Sequence, residues 1–249
     1  MSKPDGPPRL VVVGGGGSGI GKAVAARFAS LGDDVVIVGR CEDRLRHTAV
    51  ELGGSVRTVT ADLSAAGGAQ TVLEALRDCP VDVLVAAAGS SDARTPDTVE
   101  GVEAEWLRDF RANVLTTVLL EFALRPRLAR PGGRVVGIGS IAGQVGSGVG
   151  GSYGAAKAAL HAWTFSLARE LGPDGITVNL VLPGYIPDTG FFGNRIDDEF
   201  HSQRVGLTML GREGTSDEVA SVVAFLASEA ASYMTAQLVG VSGGTVVGR

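Results

Sequence analysis

Short apolar runs of strand length recur along the 249-residue chain, and the segments between them are long enough to hold helices. The runs are Val11–Val13, Val35–Val38, Val56–Thr60, Val83–Ala87, Val135–Ile138, Ile176–Leu182 and Leu238–Val241. The first two are followed by helix-like stretches, Ile20–Leu31 and a more charged one from about Glu42 to Leu52. Parallel strands cannot be joined by a tight turn, and each needs a crossover of about a dozen residues. Strands spaced in this way predict βαβ units and an α/β fold: one doubly wound parallel sheet with helices on both faces. Hydrophobic residues make up 45% of the chain but aromatics only 5%. The core must then be Ala, Val, Leu and Ile, which suits strands buried on both faces. No repeat, low-complexity tract or linker divides the sequence, so residues 1–249 read as a single domain behind a polar, proline-rich tail, residues 1–8, expected to be flexible.

Between the first run and the helix behind it, residues 14–21 read Gly-Gly-Gly-Gly-Ser-Gly-Ile-Gly. Glycines there allow a tight turn and let the backbone approach a pyrophosphate held at the helix N-terminus. Two registers fit: Gly14, Gly16 and Gly19 match the common dinucleotide fingerprint, while Gly15, Gly19 and Gly21 match a variant with wider spacing. The end of the second strand reads the adenosine ribose. An acid there would bind the 2′-hydroxyl of NAD and repel the 2′-phosphate of NADP. This chain has Gly39 and then Arg40, and a guanidinium can clasp a phosphate through two parallel hydrogen bonds. Asp62 follows the third strand, placed either to meet the adenine or to cap the next helix.

Tyr153 and Lys157 lie four apart in a helix-like segment and so share a face. A phenol exchanges protons near neutrality only if its pKa is lowered, and an adjacent ammonium would do that. Of the 22 basic residues only Lys3, Lys22 and Lys157 are lysines. Lysine kept beside the tyrosine in so arginine-rich a chain suggests a need for a compact ammonium. Ser140 ends a strand-like run, where its hydroxyl would donate to a carbonyl oxygen as charge develops.

Together these elements resemble the short-chain dehydrogenase/reductase family from end to end. The resemblance rests on Gly15, Gly19 and Gly21, on Asn113 in Arg-Ala-Asn-Val-Leu, and on Ser140, Tyr153 and Lys157. Further along, Pro183-Gly184 is followed by Thr189, and the tail carries Gly211-Arg212, Asp217-Glu218-Val219-Ala220, Phe225-Leu226-Ala227-Ser228 and Gly243-Gly244. It implies a Rossmann-type fold of about seven strands and a member similar to the 3-oxoacyl-thioester reductases. Tyr153 would be the proton donor in reduction, and Lys157 would lower its pKa and hold the nicotinamide ribose. Ser140 would orient the carbonyl, and Asn113 would hold a water in a proton relay. The implied NADP(H) site is Gly15, Ser18, Gly19, Ile20, Gly21, Arg40, Asp62, Leu63, Ala88, Gly89, Tyr153, Lys157, Pro183, Gly184, Ile186 and Thr189, with NAD(H) the lesser expectation. A homotetramer is implied, with a dimer as second choice, paired through the small face Ala155, Ala158, Ala159 and Ala162.

The expected function is NADPH-dependent reduction of a ketone, acyl-thioester or polyketide-like, to a secondary alcohol. The alternatives are an NAD-dependent alcohol or sugar dehydrogenase working oxidatively and a nucleotide-binding regulator without turnover. Three departures stand out: Gly14 for the family's usual threonine, Ala86-Ala87-Ala88-Gly89 for Asn-Asn-Ala-Gly, and Ala236 and Ser242 for glycine and aspartate. Each lost hydrogen bond is worth ~1 kcal/mol. Residues 184–214 interrupt the strand–helix rhythm and read as a substrate lid, apolar at Phe191, Phe192 and Phe200. Its charges, Arg195, Asp197, Asp198, Glu199 and Arg204, are expected at solvent or the pocket mouth. The glycines between serine and tyrosine (Gly143, Gly146, Gly148, Gly150, Gly151) announce no specificity.

Other classes are disfavoured. A net charge of −5 gives no footprint for nucleic acid, and the cluster Arg125, Arg127, Arg130 and Arg134 reads as cations at a helix end. Cys41 and Cys79 have no redox or metal spacing and read as buried or reduced thiols. His47 and His201 have no ligand-spaced partner, so no metal is expected, and His161, Trp163 and Phe165 read as packing. With no signal peptide and no apolar run near the ~20 residues of a membrane helix, a cytoplasmic protein is expected.

Overall fold

The computed structural model describes residues 8–53, 56–91, 96–146, 151–193 and 196–247. Residues 1–7 of the tail, with Lys3, and Gly148, Gly150 and Arg195 lie outside them. In chain order the elements are β1 (Leu10–Gly14), α1 (Gly19–Ser30), β2 (Asp34–Gly39), α2 (Glu42–Leu52), β3 (Val56–Thr60), α3 (Ala66–Leu76) and β4 (Val83–Ala86). Next come α4 (Val99–Phe110), a π-helical turn (Arg111–Leu115), α5 (Thr116–Leu124), β5 (Arg134–Ile138), the short α6 (Ala142–Val145) and α7 (Ser152–Leu171). The chain closes with β6 (Thr177–Pro183), α8 (Asp198–Gly206), α9 (Ser216–Leu226) and β7 (Leu238–Val241).

The strands form one parallel sheet in the order β3-β2-β1-β4-β5-β6-β7. Side chains alternate across it as a strand's period of two requires. Val11 and Val13 of β1 pack toward α1 and α9 with Val24, Phe28, Val219 and Val223. Leu10 and Val12 face the other way, toward Val72, Leu120, Leu124 and Leu167 from α3, α5 and α7. Strand order reverses between β1 and β4, and it is beyond the carboxyl ends of strands at such a switch point that doubly wound sheets bind ligands.

The basic cluster departs from its sequence reading at one position, Arg134. Arg134 lies inside β5, buried and reaching Glu229, while Arg125 bridges Glu121 and Glu170, Arg127 meets Asp78 and Arg130 meets Asp174. Arg125 and Arg127 do stand at the end of α5, where Arg130 donates to the Arg125 and Leu128 carbonyls, so the helix-end reading fails only for Arg134, and carboxylate partners add to it elsewhere. Of the three presumed packing residues, Trp163 joins the core but Phe165 is exposed. Both cysteines are free and exposed rather than buried.

Gly14 is also explained. A Cβ there would stand 2.7 Å from Leu120 Cδ2 and 3.1 Å from Leu63 Cδ1. Apolar side chains fill the place a threonine would take, so the hydrogen bonds expected to be missing are replaced by packing. Gly14→Thr should overpack this layer and destabilise by ~1–3 kcal/mol, read as a lowered Tm. An unchanged Tm would show that Leu120 yields freely.

Candidate active site

A cleft of about 1620 Å³ opens beyond the carboxyl ends of the central strands, and every residue that the sequence reading assigned to catalysis or cofactor lines it. At one end lies the glycine loop. Gly15 and Gly19 have positive φ, +82° and +51°, where a side chain would be strained. A Cβ on Gly15 would come within 2.6 Å of Ala88 N, and one on Gly21 would strike the Gly15 carbonyl. The closest obstacles at Gly14 and Gly16 are side chains, of Leu120 and Ile37. The backbone therefore selects the Gly15/Gly19/Gly21 register. Behind the loop, α1 starts at N-cap Ser18 with no side-chain cap and no acid in its first turn. Its free amide groups and the glycine-bared backbone fit a pyrophosphate.

Farther along the cleft stand Arg40 and, unanticipated from the sequence, Arg44 of α2. The Arg44 stem packs toward Gly17, whose Cβ would lie 3.6 Å from Arg44 Cγ. Neither guanidinium forms an ion pair among the described residues, which fits a phosphate at this end. Asp62 does not cap α3, whose N-cap position is Ala65. Its carboxylate accepts from Ser64 N at 3.0 Å and Ser64 Oγ at 2.7 Å, closing a local turn. Those bonds, with the charge of Arg40, hold it below the usual carboxylate range.

At the opposite end Ser140 follows β5 and hydrogen-bonds with Tyr153 on the first turn of α7, while its Oγ accepts from Ala142 N at 3.1 Å. One turn on, Lys157 donates to the Ile138 carbonyl at 3.0 Å, its Nζ 5.9 Å from the Tyr153 ring centre. Burial governs both groups. It pushes the phenol up to about 12, with the charge of Asp109 adding and the Ser140 bond opposing, and pushes the lysine down to about 8. The protein alone thus holds the phenol above its ordinary value, with desolvation the largest influence.

Asn113 sits in the π-helical turn, a distortion that often marks functional sites. Its amide donates to Ser90 O at 2.7 Å and Asp109 O at 3.0 Å, and its oxygen accepts from Ser90 N at 3.2 Å. Both amide donors are thus committed to protein, while the oxygen keeps a second lone pair for a water. A Cβ on Gly89 would fall 2.7 Å from Asn113 Oδ1 and 3.1 Å from Lys157 Nζ. Beyond β6, Gly184 passes close to Ser242, buried Ile186 packs under Gly214, and Thr189 Oγ1 donates to Ile186 O at 2.9 Å beside Gly19.

Over this end lie the aromatic rings of residues 184–214. Phe191 stands 5.4 Å from the Tyr153 ring and 5.2 Å from Phe192, and Phe192 meets Tyr185 at 5.3 Å and Phe200 at 5.6 Å. Arg204 stacks on Phe200 and lines the cleft, whereas Asp197 is used to cap α8. Tyr185, Asp109 and Ser152 also went unremarked in the sequence. Among the described residues there is no cluster of metal-binding side chains and no helix long and apolar enough to cross a membrane.

A family model described as enoyl-(acyl carrier protein) reductase matches residues 15–246. The 3-oxoacyl-[acyl-carrier-protein] reductase FabG of Escherichia coli is 34% identical over 242 residues, spanning 95% of this chain and 96% of its own. Galactitol 2-dehydrogenase (L-tagatose-forming) of Cereibacter sphaeroides is 34% identical over 240 residues, 94% of each chain. Among solved structures, the RhlG/NADP active-site complex of Pseudomonas aeruginosa is similar with a TM-score of 0.86 at 31% identity, covering 95% of this chain and 96% of that one.

Proposed function

The chain belongs to the short-chain dehydrogenase/reductase family of oxidoreductases, which act on CH–OH/C=O pairs, and on that premise we propose that it is an NADPH-dependent ketoreductase. The observation that carries the reading is the meeting of Ser140, Tyr153 and Lys157 at one end of a cleft whose other end holds the glycine loop and two arginines that form no ion pair among the described residues. NADPH supplies the hydride. The loop Gly15, Ser18, Gly19, Ile20 and Gly21 receives the pyrophosphate, and Arg40 with Arg44 takes the 2′-phosphate. Asp62, Leu63, Ala88 and Gly89 border the adenosine side, and Pro183, Gly184, Ile186 and Thr189 the nicotinamide. Lys157 holds the ribose hydroxyls. Ser140 and Tyr153 both hydrogen-bond the ketone oxygen, and Tyr153 passes it the proton that completes the alcohol. A phenol pushed up to about 12 is protonated at neutral pH, as a donor must be.

The preferred substrate class is a 3-oxoacyl thioester or polyketide-like ketone, supported by similarity to the E. coli reductase. The second reading, oxidation of a sugar alcohol, is supported by similarity to galactitol 2-dehydrogenase. Residues 184–214 would act as a lid that excludes water from the reacting oxygen. A cytoplasmic homotetramer, or failing that a dimer, with no nucleic-acid or membrane partner fits this reading. On α4, Val99, Val102, Trp106 and Phe110 are 81%, 43%, 46% and 44% exposed, an apolar stripe suited to a second copy of the chain.

Purified protein offered 3-oxoacyl thioesters, simple ketones and, with the oxidised cofactors, sugar alcohols should consume NADPH fastest with a thioester. Tight cofactor binding with no turnover on any of them would make the chain a nucleotide-binding regulator. Lys157 gives the reduction a pH signature. Its ammonium persists below about pH 8 in the folded protein, so turnover should decline as pH rises through that value. The sign for folding is opposite: unfolded lysine keeps its proton up to 10.5, so the charge of Lys157 opposes folding below about pH 8 and is relieved between the two values. A reduction profile without an alkaline limb would remove Lys157 from cofactor binding.

A further inference from the structure

Helix α4 is packed with its polar side inward. Glu105 and Asp109, one turn apart, are 6% and 3% exposed, while the apolar stripe on the same helix faces out. Burying a carboxylate costs several kcal/mol unless partners compensate. A single hydroxyl meets both: Ser152 Oγ lies 2.7 Å from Glu105 Oε1 and 2.8 Å from Asp109 Oδ2. Arg108 Nε stands 3.8 Å from Asp109 Oδ1, and Glu105 Oε2 is buried with no hydrogen-bond partner among the described residues.

Ser152 opens α7 and immediately precedes Tyr153. That helix begins at Gly151, with φ 74°, no side-chain cap and no acid in its first turn. The carboxylates of α4 therefore stand where a cap and first-turn acids belong, at the positive end of the helix dipole. The main chain of Asp109 makes a second tie, its carbonyl accepting from Asn113 Nδ2 at 3.0 Å. One residue thus joins the turn that carries Tyr153 to the turn that carries Asn113.

The charged groups facing the phenol are few. Lys157 comes from α7 itself, and α4 supplies Asp109 with Glu105 and Arg108 beside it. Among the described residues the end of β5 offers the Ser140 hydroxyl and the segment after β6 the Phe191 ring. After burial itself, the charge of Asp109 is the influence that opposes ionisation of Tyr153.

Resting on the reading of Tyr153 as proton donor, we propose that Asp109 is a positioning residue for it: Asp109 clamps the start of α7 to α4 and so holds the phenol, with its own carboxylate nearby, where ketone reduction needs it. Asp109→Asn keeps an acceptor for Ser152 and removes the charge, whereas Asp109→Ala removes both. The chain has three tyrosines, so ionisation of Tyr153 can be read as tyrosinate absorbance of the cofactor complex, with the signal of Tyr153→Phe subtracted. In Asp109→Asn the Tyr153 step should move about 0.5–1 pH unit lower, ~3–10-fold more phenolate at any pH below it. The rising limb of alcohol oxidation should move with it, and KM for the ketone should change less than about twofold. Asp109→Ala should show the same shift with a further ~10-fold loss of kcat, which Asp109→Asn does not share. If Asp109→Ala fails to fold, Ser152→Ala tests the clamp, with a slowed kcat expected and the Tyr153 step little moved. A Tyr153 step that stays in place in Asp109→Asn overturns the proposal, whether or not a substrate has been found. Absence of turnover in the unaltered protein would sink the ketoreductase reading and leave the titration to decide the role of Asp109.

Discussion

Replacing Tyr153 by phenylalanine should lower kcat by at least ~10²-fold, the usual scale for losing a positioned acid, while NADPH still binds. The substitution removes one oxygen from a ring held by Phe191 at 5.4 Å and by the first turn of α7, so the cleft should keep its shape. Two functions go with that oxygen: the proton for the alkoxide, and one of the two hydrogen bonds that meet the developing charge. Ser140 remains and can stabilise the charge but gives no proton that α7 would replenish. Lys157→Ala should behave differently. It loses turnover and, because the ammonium is assigned to the ribose, cofactor affinity as well. The pair of variants therefore separates proton transfer from binding, with the first read in kcat and the second in Kd. Near-normal kcat in Tyr153→Phe would remove the phenol from the chemistry, and the cleft would then need another donor.

The sheet was legible because its signal is local and repeated. Each strand announces itself as a Val- and Ile-rich run, and parallel order follows from the helix-length spacing between runs. The glycine loop was legible as a nucleotide turn, but its register was not. Whether Gly14 or Gly15 is the constrained position depends on Ala88 and Leu120, which approach from other parts of the chain. Helix α4 shows a related limit. Its pattern contains an apolar stripe that amphipathicity would turn inward, yet the structure buries Glu105 and Asp109 and leaves Trp106 and Phe110 outside. The face a helix buries is chosen by its neighbours, here the start of α7 at Ser152, and nothing in the local sequence states that choice. The pKa of Tyr153 shows the same limit. Residue types four apart identify the pair, but only packing reveals that desolvation is the larger influence.

Arg44 was hidden by the same limit, and it changes what the adenosine end should do when altered. From the sequence, Arg40 alone stood where an acid would select NAD. In the structure Arg44 reaches the same end of the cleft from the first turn of α2, and among the described residues neither arginine is tied up in an ion pair. A hydrogen bond to a charged group contributes about 1.5–3 kcal/mol net, so two guanidiniums on one phosphate should favour NADPH over NADH by roughly 10²-fold or more. Arg40→Asp should lose one such contact and add repulsion, yet leave Arg44 holding part of the preference. The double variant Arg40→Asp, Arg44→Ala should lose the whole of it and reverse the choice, because a carboxylate after β2 can accept from the ribose hydroxyls of NADH. The comparison is kcat/KM for the two cofactors in the unaltered protein and both variants, with kcat itself expected to hold, since the nicotinamide end is untouched. Both guanidiniums lie at the surface of the cleft, so the preference should also shrink as salt rises. If the unaltered protein binds NADH as tightly as NADPH, Arg40 and Arg44 are solvated turn residues, and the cofactor must be assigned from the nicotinamide end alone.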